Sequence, residues 1–324
     1  MIKNFLLLVL IIIIFPSCNL ERSSESITTA TLKGPSAMAM IQMIDKQPSL
    51  QGVIPTDFII RNEPNQVRAM ILKGIVDFAV IPTTMAALLY NKDQPYILAA
   101  ITVWGTLYLF GTDTTIHSWD DIKGKNISLM GRGMTPDAVF RFLAVKNGIN
   151  TEKDLILDYS FPTHIELANA IISGTSDLGV ISEPLVSMVM QKNPEIHPIM
   201  DLNLEWEKIF EGDVPFAQTA LIVRRKLAEE NPGLVNEYLK LVQNSISWVN
   251  NNPDSASKLI VKHDVMNDTL IAELSIPRCN LHYAQAFKEM KGIQEYLKVF
   301  YNFNPLIIGG KLPDEKFYYK EQGF

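Results

Sequence analysis

The sequence has little of what marks a redox, metal-binding or nucleic-acid-binding protein. It holds two cysteines in 324 residues, and its net charge of −6 comes with no basic cluster interleaved with aromatics. No HExxH, GxSxG or phosphate-loop pattern occurs. The five histidines show no ligand spacing to cysteines or to one another; they are His117, His164, His197, His263 and His282. We therefore expect no metal, no cofactor and no nucleic-acid partner.

Long uninterrupted hydrophobic runs are also missing, apart from one near the N-terminus. Phe5–Phe15 is an unbroken apolar run, too short for a membrane span of about 20 residues. It predicts a signal peptide over residues 1–17. The cysteine directly after it, Cys18, makes the segment similar to a bacterial lipoprotein signal, which implies cleavage before Cys18 and its lipidation. An ordinary signal peptide with an incidental cysteine is the alternative. Residues 18–27 are then a lipidated, polar tether, and Cys279 is the remaining thiol, expected to be buried.

One stretch of the sequence occurs twice, at an offset of 100 residues. Met70–Thr84 and Ala170–Pro184 share the pairs Gly74/Gly174, Asp77/Asp177, Val80/Val180 and Ile81/Ile181. Each copy has apolar residues at helical spacing, then a glycine suited to ending a helix in the left-handed conformation, then a turn and an apolar strand. Chance similarity is the alternative, since helix–turn–strand units are common. The fixed offset favours two α/β lobes built on one plan.

The length of the chain supports the same architecture, because a single core stops growing at about 250–300 residues. The apolar run Tyr96–Gly111, interrupted at Gly105, predicts a strand that leaves the first lobe, crossing near Trp104–Tyr108. Val214–Val223 predicts the strand that returns. The predicted fold class is α/β, with a discontinuous first lobe (residues 28–105 and 217–324) and a second lobe (residues 106–216).

Some local features are predicted more specifically. The segment 36–47 is expected to form one helix whose methionines fill the core. Thr83 or Thr84 is the candidate N-cap of the helix that follows the first copy of the repeat. After Asn250 we expect further helices that pack on the first lobe, with the aromatic residues 317–319 near a surface.

Three motifs resemble the extracytoplasmic solute-binding proteins of bacterial ABC importers. They are Ser118–Lys125, Ile172–Asp177 with Glu183-Pro184, and Val214–Arg224. The similarity covers about residues 28–260 and points to the group that binds alkanesulfonates, nitrate, taurine or thiamine precursors. It implies the type II periplasmic-binding-protein fold, in which two α/β lobes joined by two crossover strands hold a small solute and perform no chemistry. It also implies a membrane permease with a cytoplasmic ATPase as partner. With the lipid anchor, the chain is expected to be a monomer on the periplasmic side of the cell envelope.

The ligand site is predicted from the ends of the strands. In open α/β sheets, ligands sit beyond the carboxyl ends of the strands, where the N–H groups of helix N-termini attract anions. This rule, applied before any resemblance, selects loops from which we predict these ligand-binding residues: Gly34, Pro35, Ser36, Thr83, Thr84, Trp104, Arg132, Gly133, Met134, Thr135, Phe161, His164, Glu183 and Gln218. The hydroxyls among them could donate hydrogen bonds to a solute held in the cleft between the lobes.

Four of these residues have a competing structural interpretation. Arg132 could pair with a carboxylate or sulfonate, or face water beside a tight turn. Trp104 could stack on a planar ligand or be a buried structural residue. A lone histidine before a helix, such as His164, is more often a capping or surface residue than a ligand contact. Glu183 could bind an amine or a pyrimidine nitrogen, or merely end a strand, and an acid there disfavours a bare inorganic anion.

Two other functions are compatible with the same fold. One is a periplasmic sensory subunit that passes the state of its ligand to a membrane receptor. The other is an enzyme of thiamine-pyrimidine or menaquinone synthesis. The first of these enzymes depends on a cysteine-rich motif, which two cysteines cannot form, and the second is cytosolic, against the export signal. We expect a non-enzyme that binds a sulfonate-like or thiamine-precursor-like solute.

Overall fold

The computed structural model describes residues 26–321. The predicted signal peptide, Cys18 and most of the predicted tether lie outside the described residues. The strands are β1 (Ile27–Leu32), β2 (Thr56–Arg61), β3 (Phe78–Pro82), β4 (Tyr96–Trp104), β5 (Leu107–Gly111), β6 (Asn126–Ser128), β7 (Ile156–Asp158), β8 (Leu178–Ser182), β9 (His197–Asp201), β10 (Ala217–Arg224) and β11 (Leu281–Gln285).

Helices cover the faces of these strands. The α-helices are α1 (Pro35–Ala39), α2 (Ile41–Lys46), α3 (Pro64–Leu72), α4 (Thr83–Asn91), α5 (Thr135–Lys146), α6 (His164–Ile172), α7 (Leu185–Lys192), α8 (Leu202–Phe210), α9 (Arg225–Glu230), α10 (Pro232–Asn251), α11 (Pro253–Lys262), α12 (Thr269–Ser275) and α13 (Met290–Phe303). Short 3₁₀ helices span Trp119–Ile122, Ile276–Arg278, Pro305–Ile308 and Glu315–Phe317. None of the helices between residues 26 and 321 combines the length and the apolar character that a membrane span requires.

The strands form two sheets with one plan. The first has the order β11-β4-β10-β3-β1-β2 and the second the order β7-β6-β8-β5-β9. In the first, β1 pairs in parallel with β2 and β3, and β10 runs antiparallel to β3 and β4. In the second, β6 pairs in parallel with β7 and β8, and β5 runs antiparallel to β8 and β9. The series β2-β1-β3-β10-β4 therefore corresponds to β7-β6-β8-β5-β9, which confirms the predicted α/β fold of two lobes.

The repeated stretch occupies the same place in both lobes. Helix α3 ends two residues before Gly74 and α6 two residues before Gly174, and these glycines have φ values of 65° and 72°. In both turns the glycine and the residue after it donate backbone hydrogen bonds to the last turn of the helix. β3 and β8 follow, each with its first four residues buried. The sequence repeat is therefore a structural repeat, as predicted.

The first connection between the lobes lies where the sequence predicts it. The run Tyr96–Gly111 forms two strands in different sheets, and the chain changes sheets at Gly105 and Thr106. Gly105 has a φ of 56°, and a Cβ at this position would overlap the side-chain amide of Asn203. Only glycine fits here, for both conformational and steric reasons.

The second connection runs from α8 to β10 and is tied to the first. Oε1 of Gln218 accepts hydrogen bonds from the backbone N–H of Thr106 at 2.8 Å and from its hydroxyl at 3.3 Å. Gln218 belongs to the returning strand, and Thr106 to the outgoing connection. The two connections therefore form one hydrogen-bonded unit, which we call the hinge.

Helix α13 packs on both lobes. It contacts α4 of the first lobe and α5 of the second. Its fully buried Tyr296 has its ring centroid 5.5 Å from that of Trp206 and 5.7 Å from that of Phe216. A Cβ on Gly292 would lie 2.7 Å from Cδ of Pro215, so α13 also lies close against the hinge. The expectation that the C-terminal helices pack on the first lobe is therefore incomplete for α13, which packs on both lobes and buries its aromatic residues where the lobes meet.

The aromatic residues 317–319 are buried, contrary to the expectation that they lie near a surface. Phe317 is fully buried, and Tyr318 and Tyr319 are 4% and 6% exposed. The backbone N–H of Tyr319 donates to the carbonyl of Leu98 at 2.7 Å, which draws this segment onto β4.

Secondary structure departs from the prediction at three further places. The predicted helix over 36–47 is divided into α1 and α2 at Met40, whose φ and ψ are −108° and 7°. Helix α8 and strand β11 were not predicted; β11 is short and pairs with β4 through an irregular register. The methionines of α1 and α2 and the thiol of Cys279 are buried in the core, as expected.

Candidate functional site

Four loops at the carboxyl ends of strands meet where the two lobes face each other. We call this place the junction and define it as residues 33–36, 82–84, 131–135 and 182–184, which follow or end β1, β3, β6 and β8. Oγ1 of Thr84 lies 3.2 Å from Oγ1 of Thr135. A Cβ on Gly34 would lie 3.3 Å from Cδ of Pro184. Because β1 corresponds to β6 and β3 to β8, the two contacts are related by exchange of the lobes.

Helices α4 and α5 begin at the junction without a side-chain cap. The residue before α4 is Pro82, so the prediction that Thr83 or Thr84 caps this helix is wrong. Both threonines lie inside its first turn, where a hydroxyl no longer occupies the capping position. Thr83 is fully buried with no hydrogen-bond partner for its Oγ1, and Thr84 is 6% exposed. Helix α5 begins at Thr135, also without a side-chain cap. These two helix starts present N–H groups that no side chain occupies.

Three of the predicted ligand-binding residues lie at the start of α1. Gly34 precedes α1 with a φ of 86°, Pro35 is its first residue, and Ser36 is 6% exposed. The five residues of α1 make less than two full turns, so its dipole adds little to the junction. What this loop contributes is the close approach of Gly34 to Pro184.

The loop before α5 is held by contacts within the second lobe. The backbone N–H of Gly133 donates to Oδ2 of Asp137 at 2.6 Å, and the hydroxyl of Tyr159 donates to Oδ1 at 2.6 Å. The exposed guanidinium of Arg132 lies 4.4 Å from the centroid of the Tyr159 ring. Met134 packs against the core of the second lobe. Of the predicted residues in this loop, Thr135 makes the contact across the junction.

Glu183 is buried among protein partners. It is 1% exposed, and its carboxylate accepts hydrogen bonds from the backbone N–H and the hydroxyl of Ser187, both at 3.1 Å. Nη1 of Arg278, which comes from the first lobe, lies 3.7 Å from its Oε1. Burial raises the pKa of Glu183 to about 7, and the contacts with Ser187 and Arg278 offset this only in part.

His164 and Phe161 follow β7, at the outer side of the junction. His164 is the first residue of α6, and the helix is capped by Thr163 rather than by the histidine. Nδ1 of His164 is buried without a partner, and burial lowers the pKa of this side chain to about 4. The half-buried Phe161 packs against the core of the second lobe. His164 is therefore neutral at pH 7.

Two carboxylates from different lobes, Glu63 and Glu166, influence each other electrostatically. Glu63 precedes α3, and Glu166 lies in the first turn of α6. Burial and, secondarily, the like charge of Glu166 raise the pKa of Glu63. These two carboxylates lie at the starts of α3 and α6, the equivalent helices of the repeat.

Trp104 and Gln218 lie at the hinge rather than in the junction loops. Nε1 of Trp104 donates to the carbonyl of His282 at 2.8 Å. Trp104 also lines a cavity of about 630 Å³, together with Asn203, Glu207, Gly212, Val214, Pro215, Phe216, Asn250, Pro253, Ile276, Pro277, Asn280, Leu281 and His282. In the first sheet, this cavity lies beside the strands β11 and β4 at one edge, whereas the junction loops of this lobe follow β3 and β1. Trp104 is thus the one predicted ligand-binding residue that lines it.

Two residues at the hinge and the junction were not predicted, Arg278 and Asn280, whereas Thr106 lies within the predicted crossing Trp104–Tyr108. Nδ2 of Asn280 donates to the carbonyl of Gly105 at 2.6 Å, and Arg278 approaches Glu183. Arg278 and Asn280 are remote in sequence from their partners, and no local pattern marks them.

The described chain offers no arrangement suited to a metal ion: residues 26–321 contain no group of three or more His, Cys, Asp or Glu side chains placed to bind one. Burial raises the pKa of Cys279 well above its usual value, so its thiol is protonated. The junction instead offers hydroxyls and helix N-termini, which bind anions and polar groups through hydrogen bonds.

Comparison with known proteins identifies the family. A family model described as "NMT1/THI5 like" matches residues 54–256. The chain is 25% identical over 162 residues to the putative binding protein YtlA of Bacillus subtilis, a match that covers 50% of this chain and 46% of that protein. The match thus spans less than half the length of this curated relative.

Two solved structures are similar over nearly the whole chain. One, described as an ABC transporter from Parabacteroides distasonis, has a TM-score of 0.80 and 24% identity, covering 92% of this chain and 100% of that one. The other is the periplasmic aliphatic sulphonate binding protein SsuA from Escherichia coli, with a TM-score of 0.74 and 13% identity, covering 93% and 94%. At these identities the likeness shows the fold, that of type II periplasmic binding proteins. Since the family model spans more than half of the chain, this protein belongs to the NMT1/THI5-like family.

Proposed function

We propose that the chain is the solute-binding component of an ABC importer and that its solute binds at the junction. The observation that carries this proposal is the meeting of α4 and α5. Their uncapped starts face each other across the two lobes, with the Thr84 and Thr135 hydroxyls 3.2 Å apart. The family, the fold and a hinge of two hydrogen-bonded connections support it. The protein captures and delivers its solute and does no chemistry on it.

The chemistry of the junction favours a small anionic or heteroaromatic solute. Each helix N-terminus stabilises a negative group by about 0.3–1 kcal/mol, and two of them converge here. Thr83 adds a buried hydroxyl whose oxygen has no partner, which costs free energy unless a ligand satisfies it. Two acids beside the junction are almost fully buried, Glu183 and Asp137, each 1% exposed. Glu183 has a raised pKa and protein partners, which weakens its repulsion of an anion. Asp137, in the first turn of α5, accepts hydrogen bonds from the Gly133 N–H and the Tyr159 hydroxyl. We propose a sulfonate-like or thiamine-precursor-like solute.

The remaining parts of the proposal concern location and partners. The N-terminal segment acts as a lipoprotein signal peptide, and lipidated Cys18 anchors the monomeric protein on the periplasmic side of the bacterial envelope. A membrane permease with a cytoplasmic ATPase receives the solute. A periplasmic sensory subunit would bind solute at the same junction, and the genes beside this one would distinguish the two: a permease and an ATPase for import, a membrane receptor for sensing.

A thermal-shift screen tests the proposed solute class. The chain from residue 19 onward, which keeps every described residue, is heated with sulfonates, taurine, nitrate, bicarbonate, pyrimidines or amino acids. A solute at 100 times its Kd stabilises the fold by about 2.7 kcal/mol. For a chain of this size, that raises the Tm by about 4 °C. A shift confined to sulfonates or to pyrimidines supports the proposal. A shift confined to amino acids, or none, overturns the solute class.

A further inference from the structure

The segment Thr269–Arg278, formed by α12 and the 3₁₀ helix after it, belongs to the first lobe but touches the second. It lies beyond residue 256, where the match to the family model ends. Helix α12 packs against α11 on one side and against α7 of the second lobe on the other. We call this segment the latch. It bridges the lobes without being one of the two covalent connections.

The polar contact between the latch and the second lobe is centred on Arg278. Its Nη1 lies 3.7 Å from Oε1 of Glu183 and 3.0 Å from Sδ of Met190. The Glu183 side chain is fully buried, and Ser187 fixes both of its oxygens from the start of α7. The Arg278 side chain is 40% exposed. The carboxylate is thus fixed in the second lobe, while the arginine reaches it from the first.

This contact lies next to the junction. Glu183 directly follows β8, and the residue after it, Pro184, is the one that meets Gly34 of the first lobe. A change in the position of Glu183 therefore moves a junction loop.

On the opposite face of the molecule, aromatic contacts rather than an ion pair join the two lobes. There α13 packs on α5, and Tyr296, Trp206 and Phe216 bury their rings against each other. Separating buried aromatic rings exposes a large apolar area, whereas a partly exposed ion pair separates at little cost. Of the two faces, the latch face is therefore the one that costs less to separate.

We propose that Arg278 is a positioning residue for solute binding: by pairing with Glu183 across the lobes, it holds the β8–α7 loop against the β1–α1 loop and favours the closed arrangement. This rests on the proposed function of the junction. Arg278 touches no solute; it sets how much of the protein is closed when a solute arrives, and so how tightly that solute is held.

Electron spin resonance can measure the populations of the open and closed arrangements without any solute. Spin labels are attached to Lys73→Cys, directly after α3, and to Asn169→Cys on α6, both exposed positions, in the chain from residue 19. The measurement is made at pH 8, above the pKa of Glu183, so that this carboxylate is ionised. Cys279 is fully buried and stays unlabelled. In the Arg278→Gln variant, we expect the ratio of short to long label distances to fall about fivefold. Arg278→Lys should restore the ratio to within about twofold of the original, because a cation at this range needs no fixed hydrogen-bond geometry.

Two controls separate a specific pairing from a general effect on structure. Arg225→Gln removes an arginine of similar exposure (33%) that pairs with Glu229 within the first lobe, and it should leave the distances unchanged. In a Glu183→Gln background, Arg278→Gln should change the ratio less than about twofold, because the partner charge is already gone. An Arg278→Gln distribution equal to that of the unsubstituted chain overturns the proposal, as does an equal effect in both backgrounds. Since no solute is present, a silent solute screen would contradict the proposed function without affecting this result.

Discussion

The two copies of the repeated unit have the same backbone but different polar chemistry. In both, a helix ends at a left-handed glycine and a buried strand enters the middle of a sheet. In the first copy, Asp77 is 8% exposed, accepts a hydrogen bond from the N–H of Thr28 at 3.0 Å and pairs with Arg224 at 3.3 Å. Its counterpart Asp177 is exposed. The comparison shows that a shared sequence pattern can fix a turn without fixing what its side chains do.

The second copy joins its turn to the neighbouring strand by other means. The hydroxyls of Ser128 and Ser176 lie 2.7 Å apart and are buried. In the first copy, Arg224 additionally donates to the carbonyls of Gly74 and Val76 at 2.7 and 2.6 Å. The first lobe thus uses a buried charge network where the second uses a neutral hydroxyl pair. The two lobes should therefore respond differently when the aspartate of this turn is replaced by a neutral residue.

The largest expected difference between the copies is in the paired aspartates. Asp77→Ala leaves Arg224 without its partner charge and Thr28 N–H without an acceptor, so we expect the free energy of unfolding to fall by about 3 kcal/mol. Asp177→Ala should change it by less than about 0.5 kcal/mol, because the side chain is exposed. Urea unfolding of both variants measures this. Equal losses would show that the repeat carries the same energetics in both lobes.

The second largest expected difference between the two copies is at the residues that directly follow the repeated strands. Thr83 in the first lobe corresponds to Glu183 in the second, and both are buried. Because burial raises the pKa of Glu183 in the folded state to about 7, above the usual 4.5, the folded protein holds a proton there that the unfolded chain has released. Stability from this group is therefore fully present below pH 4.5 and is lost as the pH rises to 7. Relative to the unsubstituted chain, Glu183→Gln should gain about 2–3 kcal/mol of stability between pH 4.5 and pH 8.

His164 provides the control for that pH profile, because its effect on stability changes with pH in the opposite direction. Its pKa is lowered to about 4 by burial, so its stabilising effect is present above pH 6.5 and is lost as the pH falls toward 4. His164→Asn should therefore flatten the acid side of the profile and leave the Glu183 effect near pH 7 in place. Denaturant titrations at several pH values distinguish the two. A Glu183→Gln profile parallel to that of the unsubstituted chain would contradict the assigned pKa.

The smallest expected difference is between the glycines that end α3 and α6. Both have positive φ, and a Cβ would meet no atom closer than 3.6 Å at Gly74 and none within 4 Å at Gly174. Gly74→Ala and Gly174→Ala should therefore each cost about 1 kcal/mol, through backbone strain alone. Thermal or urea unfolding checks the equality. A cost at one site more than about twice that at the other would show that the turns are not equivalent.

The backbone plan could be predicted from the sequence because it depends on local signals. The glycines at 74, 105 and 174 mark turns that only positive φ allows, and the apolar runs around them mark the strands. The rule of strand ends also placed Thr84 and Thr135 at the edges where the two lobes face each other, since they follow the carboxyl ends of β3 and β6.

The rest of the site could not be predicted from the sequence, because it depends on contacts between residues that are far apart in the chain. Arg132 follows a glycine in a loop, which suggested ligand binding, yet its guanidinium lies over the Tyr159 ring. Glu183 was predicted as a ligand contact, and the structure surrounds it with Ser187 and Arg278. A residue such as Arg278, about 95 positions away in a helical region, carries no local signal. Such pairings are set by how α12 packs on α7, which a periodicity argument does not address.

Calorimetric titration of a solute found by the screen into a double variant tests the central claim most directly. Thr84→Val with Thr135→Val removes the two hydroxyls that meet at the junction, while the exposed pair Thr112→Val with Thr114→Val serves as the matched control. If the solute binds at the junction, Kd should rise about 10- to 100-fold in the first variant, because each lost hydrogen bond costs about 1 kcal/mol or more. The control should keep its Kd, and both should melt cooperatively. An unchanged Kd in a folded Thr84/Thr135 variant would contradict a solute site at the junction.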